Sequence, residues 1–581
     1  MPSATTMVDY CYYQMFYGCT ALTSAPQLPS TSLAPSCYRG MFYGCTGLTT
    51  IPSDMLPATT LANYCYQEMF RNCNHLTTAP DLLATAGVTS CYANMFNGCT
   101  SLNYVKCNLA SYNSGYTSTW LTSVASTGTF VKNPGNSSWT RNVSGIPSGW
   151  TVEDNINYNE PFYYELTSAP AGSVYVTVQS TGNAPTVTNW QYSYDSSTWT
   201  SFDPANDSIE LQVGKTYFRA SAPSGFASSA NDYWRFGGVA FKHNIGGNLC
   251  SLVYGSSFTN QHSITNPSDY FFSNLFASDT LVNTSENLIL PDETSTKMYY
   301  STFASCTIMT ATPMKMPTAL STYCFESMFQ GCTSLYTVTP LTATTMVEGC
   351  YMNMFNGCGF MTAFNLKATT LAENCYRGMF KNCRNLSTTP TMAATAMADY
   401  CCAEMFENCR YLSQGVRLSN VATFATGCFY NMFKGCTGMT QLNGSNYIGT
   451  NGVKTVPNYA FYGMFYGCSA YTQNNRITVT AVGDYGMAYM FYGCNITGSA
   501  NLNLRAASPG TAAYINMFEN CTALKNIKCL MSTYDATITT DWIKGVTQTT
   551  GTFTRLTANT SWVTGVDSGI PSGWTVRTAN T

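Results

Sequence analysis

A Met-Phe pair followed by Gly-Cys returns along this chain at an almost constant interval. Aligned on the Phe, the first run is Phe16, Phe42, Phe70 and Phe96, at spacings of 26, 28 and 26 residues. The second run is Phe276, Phe303, Phe329, Phe355, Phe380, Phe406, Phe433, Phe465, Phe491 and Phe518, at spacings of 27, 26, 26, 25, 26, 27, 32, 26 and 27. Phe276 and Phe303 follow Leu275 and Thr302 in place of Met. A unit this short cannot bury its own apolar face. Fourteen copies must therefore stack on one another, which makes a solenoid.

Each position of the unit has a physical reading. The segment from the first Cys to the Phe is short, free of Pro and rich in Met and aromatics, and it reads as one or two turns of helix on the outside of the coil. Two residues after the Phe stands Gly or Asn in twelve units, among them Gly18, Gly44, Asn72, Gly98, Asn382 and Asn520, with Ser278 and Ser305 as exceptions. Gly and Asn tolerate a left-handed backbone, so this position reads as the residue ending the helix. Six residues after the Phe comes an apolar residue such as Leu22, Leu48, Leu76, Leu335 or Met361. Thr- and Ser-rich runs follow, often closed by Pro, and predict short strands paired in parallel between units. The residue after the first Cys position is usually aromatic (Tyr12, Tyr38, Tyr66, Tyr92) and reads as half-buried stacking. The residue after the Phe varies freely among Tyr17, Tyr43, Arg71, Asn97, Lys381, Glu407 and Tyr492, which marks it as solvated.

The 26 cysteines suggest disulfides, but their pattern argues against them. Cys11 and Cys19 are eight residues apart, about 12 Å if helical and beyond the reach of a bridge. The first Cys is lost alone at Ala460, Gly486 and Ala513, while Cys468, Cys494 and Cys521 remain. Reduced cysteines in two ladders of small buried side chains fit better. No C-x₂-C pair with partner spacing suggests a metal.

Between the blocks the pattern changes. Trp120, Gly128-Thr129-Phe130, Trp139 and Gly145-Ile146-Pro147-Ser148-Gly149-Trp150 recur near the end as Trp542, Gly551-Thr552-Phe553, Trp562 and Gly569-Ile570-Pro571-Ser572-Gly573-Trp574. Each copy follows the last unit of a block and reads as a cap on an apolar end, its Trp residues serving as core. Residues 154–245 hold period-two stretches such as Val174–Val178 and Thr216–Ala220 between turn residues, the pattern of a small β-sandwich. Gly246 to Gly255 then leads into the second block. The expected fold is an α/β repeat solenoid. Its domains are block one at 1–106, a cap at 107–153, an Ig-like β-sandwich at 154–245, block two at 246–528 and a second cap at 529–581. Ala4-Thr5-Thr6-Met7 matches Ala58-Thr59-Thr60-Leu61. Met1 thus falls inside a unit, and either the chain is a fragment or its first coil stacks on another polypeptide.

The core C-Y-x-x-M-F-x-G-C-x-x-L of Cys37 to Leu48 resembles the 26-residue bacterial surface-protein repeat and the BspA-type leucine-rich repeats, whose units carry Met-Phe or Ala-Phe, then Gly-Cys, then Leu. The resemblance covers roughly two-thirds of the chain. It departs in having Cys where those families more often have an aliphatic residue or Met before the aromatic. The Cys- and Tyr-rich style is similar to repeats in surface proteins of gut Bacteroidales and in tail proteins of their phages. It implies a leucine-rich-repeat-like form of the α/β repeat solenoid and a non-catalytic extracellular binding or structural protein: a phage tail-fibre or receptor-binding component in the virion tail, or else a bacterial cell-surface adhesin. The implied partners are a host cell-surface protein or glycan and other virion or surface proteins, with a homo-oligomer possible.

Composition and motifs narrow the function classes. Only 9% of residues are charged and the net charge is −3, so there is no basic footprint for nucleic acid. No run of about 18 apolar residues is present for membrane insertion, and no signal peptide is visible at Met1 to Thr6. His75, His243 and His262 lie in no catalytic motif. Asp195 and Asp203 flank Trp199 as turn residues. Asn136-Ser137-Ser138 and Asn142-Val143-Ser144 fit the glycosylation pattern. The expectation is no enzyme, no cofactor and no metal. Ligand contact, if carried by the repeat, falls on the variable positions Tyr17, Tyr43, Tyr466 and Tyr492.

Overall fold

The structure is a computed structural model that describes residues 7–580, apart from 135, 137, 170, 171, 360, 361, 445, 446, 451, 452 and 474. Met361, Ser137 and the Ala4-Thr5-Thr6 match lie outside the described residues. The chain divides into two compact units, Met1–Asn157 and Tyr158–Thr581.

The expected helix is absent, and the α/β class is thereby corrected. The described residues hold one five-residue helix, α1 (Cys250–Tyr254), and one 3₁₀ turn, Gly255–Ser257, both outside the repeat motif. The Cys-to-Phe segment is a ribbon of successive turns. In the coil of Phe42, the N–H groups of Cys37, Arg39, Met41, Tyr43 and Cys45 each donate three residues back, to Ala34, Ser36, Tyr38, Gly40 and Phe42. The alternate N–H groups, of Ser36, Tyr38, Gly40, Phe42 and Gly44, donate to Asn63, Cys65, Gln67, Met69 and Arg71 of the next coil at 2.8–3.0 Å. Every fourth residue is left-handed: Ser36 at φ 55°, Gly40 at 61° and Gly44 at 73°. Positive φ at the third residue is the requirement of a type II turn, so type I and type II turns alternate. Gly44 and its equivalents end no helix. They meet the one backbone demand that glycine and asparagine satisfy most cheaply.

This ribbon repeats every four residues, and that is why the sequence looks helical. Its inward residues are Cys37, Tyr38, Met41, Phe42 and Cys45, all buried. A spacing of i, i+1, i+4, i+5, i+8 fits an α-helix of 3.6 residues per turn almost as well. What separates the two is where the alternate N–H groups go. In a helix they would stay within the segment. Here they bind the neighbouring coil, so half of the ribbon's hydrogen bonds exist only when that coil is stacked on it.

The buried side chains stack in columns. Tyr12, Tyr38, Tyr66 and Tyr92 lie at centroid spacings of 5.6, 6.0 and 6.1 Å, and Phe16, Phe42, Phe70 and Phe96 at 5.3, 5.5 and 5.7 Å. The second unit carries ten phenylalanines in one column, Phe276 to Phe518, spaced 5.3–6.0 Å apart. After Leu48 and its equivalents, parallel bridges such as Ser24↔Thr50, Thr78↔Tyr104 and Ala311↔Thr337 tie the Thr-rich runs together.

Strands lengthen towards the end of each unit. In the first, β1 (Tyr104–Cys107), β2 (Gly128–Lys132) and β3 (Trp150–Asp154) form a parallel sheet in that order. Trp120 takes over the column of Phe96 at 6.4 Å and stacks on Trp139 at 5.8 Å, and its indole N–H donates to Gly145 O at 2.8 Å. The module at 107–153 thus continues the solenoid with indoles in place of phenyl rings.

In the second unit, β4 (Tyr163–Leu166), β5 (Val174–Ser180), β6 (Thr188–Ser193), β7 (Thr200–Ser201), β8 (Ile209–Leu211), β9 (Gly214–Ser221) and β10 (Trp234–Gly237) build two antiparallel arrays. One is ordered β10-β5-β8. The other, β4-β9-β6-β7, continues through β11 (His243–Asn248) into β12 (Val282–Ile289). β11 pairs antiparallel with β4 and parallel with β12, so one sheet runs from the region read as a sandwich straight into the first coil of block two. At that seam the buried His243 Nε2 lies 3.2 Å from Asp279 Oδ2, while His243 Nδ1 is 2.8 Å from Phe241 O. Two-residue strands β13 (Gln414–Gly415) and β14 (Gln441–Leu442) follow. The six-stranded parallel sheet then runs through β15 (Val453–Val456), β16 (Ile477–Val482), β17 (Gly498–Leu504), β18 (Asn526–Cys529), β19 (Thr552–Leu556) and β20 (Thr575–Ala579). Trp542 and Trp562 close this end as Trp120 and Trp139 close the other unit, 5.5 Å apart.

The cysteines are thiols, buried in every described coil except for Cys11 and Cys19 of the first. The second Cys of the motif has a partner that the sequence did not reveal. Its Sγ donates to the carbonyl of the Phe one coil earlier: Cys45 to Phe16, Cys73 to Phe42, Cys332 to Phe303, Cys409 to Phe380 and Cys521 to Phe491, at 2.9–3.2 Å. Burial pushes Cys37 and Cys45 up to about 11 and Cys99 and Cys383 to about 12, so these are unreactive thiols.

Candidate functional site

The four-residue period sends two residues in every four outward, and these line one face of each ribbon. In the first unit, Tyr17 stacks on Tyr43 at 4.9 Å and 20°. The Arg71 guanidinium covers Tyr43 at 5.4 Å and pairs with Glu68 at 2.8 Å. Arg39 lies 5.9 Å from the Tyr13 centroid.

In the second unit the same face carries three groups along the coils. Lys297 sits among Tyr270, Tyr300 and Tyr323 at 5.4–5.7 Å and pairs with Glu326 at 3.3 Å. Next comes a charge network: Arg377 to Glu404 at 3.2 Å, Lys381 to Glu404 and Glu407 at 2.6 and 2.8 Å, and Lys434 to Glu407 at 3.8 Å. Burial alone would lower the Lys381 ammonium. Its hydrogen bonds to the two glutamates outweigh that and raise it.

The third group is made of tyrosines. Tyr430 stacks on Tyr462 at 4.8 Å, Tyr459 on Tyr485 at 5.3 Å and Tyr466 on Tyr492 at 4.3 Å, with Tyr489 5.3 Å from Tyr462. Lys434 covers the other face of Tyr466 at 5.5 Å, and Asn520 donates to the Tyr492 hydroxyl at 3.1 Å. Burial, then the neighbouring phenols, push Tyr462 up to about 12. The rings therefore spend their faces on one another. What they offer outward is a set of phenol edges and hydroxyls at coil spacing, suited to hydrogen bonding more than to a flat stacking platform.

Sequence reasoning placed Tyr17, Tyr43, Tyr466 and Tyr492 on this face, and the structure brings them together as two stacked pairs, one in each unit. It did not name Tyr430, Tyr459, Tyr462, Tyr485 and Tyr489, because ligand contact was weighed only at the position after the Phe. Tyr459, Tyr485 and Tyr489 have φ of 57°, 53° and 57°. A bulky residue is costly there, by roughly 1–2 kcal/mol, where Gly or Asn would serve the backbone better.

The other candidates are structural. His75 Nδ1 lies 2.6 Å from Thr46 O, and His262 Nδ1 lies 2.8 Å from Asp292 Oδ2. Asp195 takes the N–H groups of Ser197 and Thr198, the first cause of its lowered carboxyl. Among the described residues no cluster of three His, Cys, Asp or Glu is set to hold a metal, and no helix is long and apolar enough to cross a membrane.

Residues 4–120, 296–434 and 431–540 match the family model for the BspA type leucine rich repeat region, in six copies. The matched segments make up more than half of the chain. The chain belongs to this family. The BspA-type units coincide with the turn-ribbon coils, and the ladder of thiols and the tyrosine face are built on them. Two solved structures are similar in part. One is a leucine-rich repeat protein from Bacteroides ovatus, at 13% identity and a TM-score of 0.25, over 53% of this chain and 89% of that one. The other is a leucine rich cell surface protein from Faecalibacterium prausnitzii, at 15% identity and a TM-score of 0.23, over 58% and 94%. No curated protein matches.

Proposed function

We propose that this protein is a non-catalytic extracellular attachment protein whose ribbon face binds a bacterial host surface, as a tail-fibre or receptor-binding component of a phage. In this reading residues 154–245 act as an Ig-like spacer, and the partner is a surface protein or glycan. One observation carries the proposal: tyrosines occupy left-handed positions at 459, 485 and 489, against backbone preference, and stand half-buried on the ribbon. Such strain is retained where the side chain does something the backbone does not need. Membership in the BspA-type family and a surface whose polarity comes from hydroxyls and amides support the extracellular setting.

The test uses the full chain, a variant with Ala at Tyr17, Tyr43, Tyr466 and Tyr492, and a second with Gly at Tyr459, Tyr485 and Tyr489. Retention on intact gut bacterial cells is expected to fall by about tenfold or more, with circular dichroism unchanged. Unchanged retention would remove the ribbon face from the reading. Gold-labelled antibody on phage particles and on uninfected cells separates the tail component from a cell-surface adhesin, which would use the same face.

A further inference from the structure

A recessed polar surface lies away from the ribbon face, beside β5. β8 ends at Ile209, opposite Val176, so the edge of β5 that it would cover is open from Thr177 onward. The loop 203–208 runs past this gap and leaves a cleft of about 450 Å³. The Phe236 N–H goes to Leu275 O at 2.9 Å and not to β5. Phe236 and Val178 are thus a pair without mutual bonds, and the buried Val178 forms the floor beneath the gap.

Around that backbone stand chemically distinct groups. The half-buried Trp234, backed by Trp190 at 5.6 Å, lines the apolar side and spends its indole N–H on Pro185 O. Gln179 and Ser180 are exposed at one rim. Asn206 and Asp207 form the other, held by bonds within the loop: Asn206 Nδ2 to Asp203 at 2.7 Å, and the Asp203 N–H to Asp207 Oδ2 at 2.7 Å. Those bonds leave Asn206 Oδ1 and Asp207 Oδ1 as acceptors.

No Lys, Arg or His lines the cleft, and one carboxylate does, which disfavours phosphate and carboxylate ligands. An apolar ligand would strand the Gln179 and Asn206 amides and the Asp207 carboxylate. A ligand with many hydroxyls and an apolar ring face meets every group present. We propose that this cleft binds one or two units of an uncharged saccharide. Trp234 would lie against a sugar face, while Gln179, Ser180, Asn206 and Asp207 bond its hydroxyls.

The test is calorimetric titration of the full chain with lactose, cellobiose, mannobiose and diacetylchitobiose. Binding of at least one, with a Kd of about 1 mM or tighter, is expected. The rim variants Gln179→Ala and Asn206→Ala with Asp207→Ala should weaken it about tenfold without moving the thermal transition. Trp234→Phe should weaken it as well, with a fold check by circular dichroism. Heat from none of the four overturns the proposal, and so does binding indifferent to the rim variants. Heat from an extended Val-Thr heptapeptide alone would mean strand addition at β5 and also overturns it. The four-tyrosine variant is expected to keep the saccharide response, so failure here and failure of the ribbon-face reading are read separately.

Discussion

Replacing Cys409 tests the central claim about the repeat, that its second cysteine is a hydrogen-bond donor as well as a small core residue. Cys409 is fully buried and its Sγ lies 3.0 Å from Phe380 O. That oxygen also accepts the Cys383 N–H at 3.1 Å, so removing the thiol does not orphan it. Cys409→Ala therefore loses about 1 kcal/mol for the burial of one heavy atom. A small cavity and one weak bond add a little under another 1 kcal/mol. The sum is about 1.5–2 kcal/mol. Cys409→Ser keeps a donor aimed at the same oxygen, so its buried hydroxyl is satisfied. Its cost should match that of Ala to within about 1 kcal/mol. Were the thiol only filler, the Ser hydroxyl would be buried without a partner and cost about 1–3 kcal/mol more than Ala. Urea unfolding midpoints of the three proteins, compared at equal slope, decide this. A Ser variant less stable than Ala by more than about 2 kcal/mol would refute the donor role. In a nearest-neighbour solenoid the penalties at distant coils should add.

Phe380→Ala breaks the phenyl column between Phe355 and Phe406 and should cost about 3–5 kcal/mol in the same assay. Asp279→Ala removes the carboxylate beside the buried His243 and leaves that polar ring facing a small cavity, and a loss of about 1–3 kcal/mol is expected, measured by thermal unfolding; hydrogen exchange should speed first at β11 and β12. Tyr459→Gly relieves a left-handed backbone, so stability should change by less than about 1 kcal/mol while retention on host cells falls; a large destabilisation would make the Tyr459–Tyr485 pair structural. The folded-state value of Cys37 is raised from 9.0 to about 11. Its contribution is thus present below pH 9 and is lost as pH rises from about 9 to 11. Unfolding midpoints should fall over that window, and at pH 8 a maleimide should label Cys11 and Cys19 first, read by intact mass.

The period, the inward residues, the aromatic columns and the buried thiols were legible in the sequence, because stacking copies of one unit repeats the same environment at the same position. Cys37, Tyr38, Met41, Phe42, Cys45 and Leu48 are all buried, and Trp120 and Trp542 sit at the core of the terminal turns. The helix was misread for a definite reason. A ribbon of alternating type I and type II turns repeats every four residues, and over two turns that cannot be told from 3.6. Local pattern constrains which side chains face inward. It does not constrain whether an N–H group bonds within its own segment or across to the next coil. Only the stacked structure decides that, since the Tyr38 N–H finds Cys65 O only when the next coil is in place. The same holds for the candidate sites. A single residue type at a variable position marked Tyr17, Tyr43, Tyr466 and Tyr492. The left-handed Tyr459, Tyr485 and Tyr489, the thiol-to-carbonyl ladder, the His243–Asp279 seam and the gap beside β5 arise from groups one coil or many strands apart, and tertiary packing alone brings them together.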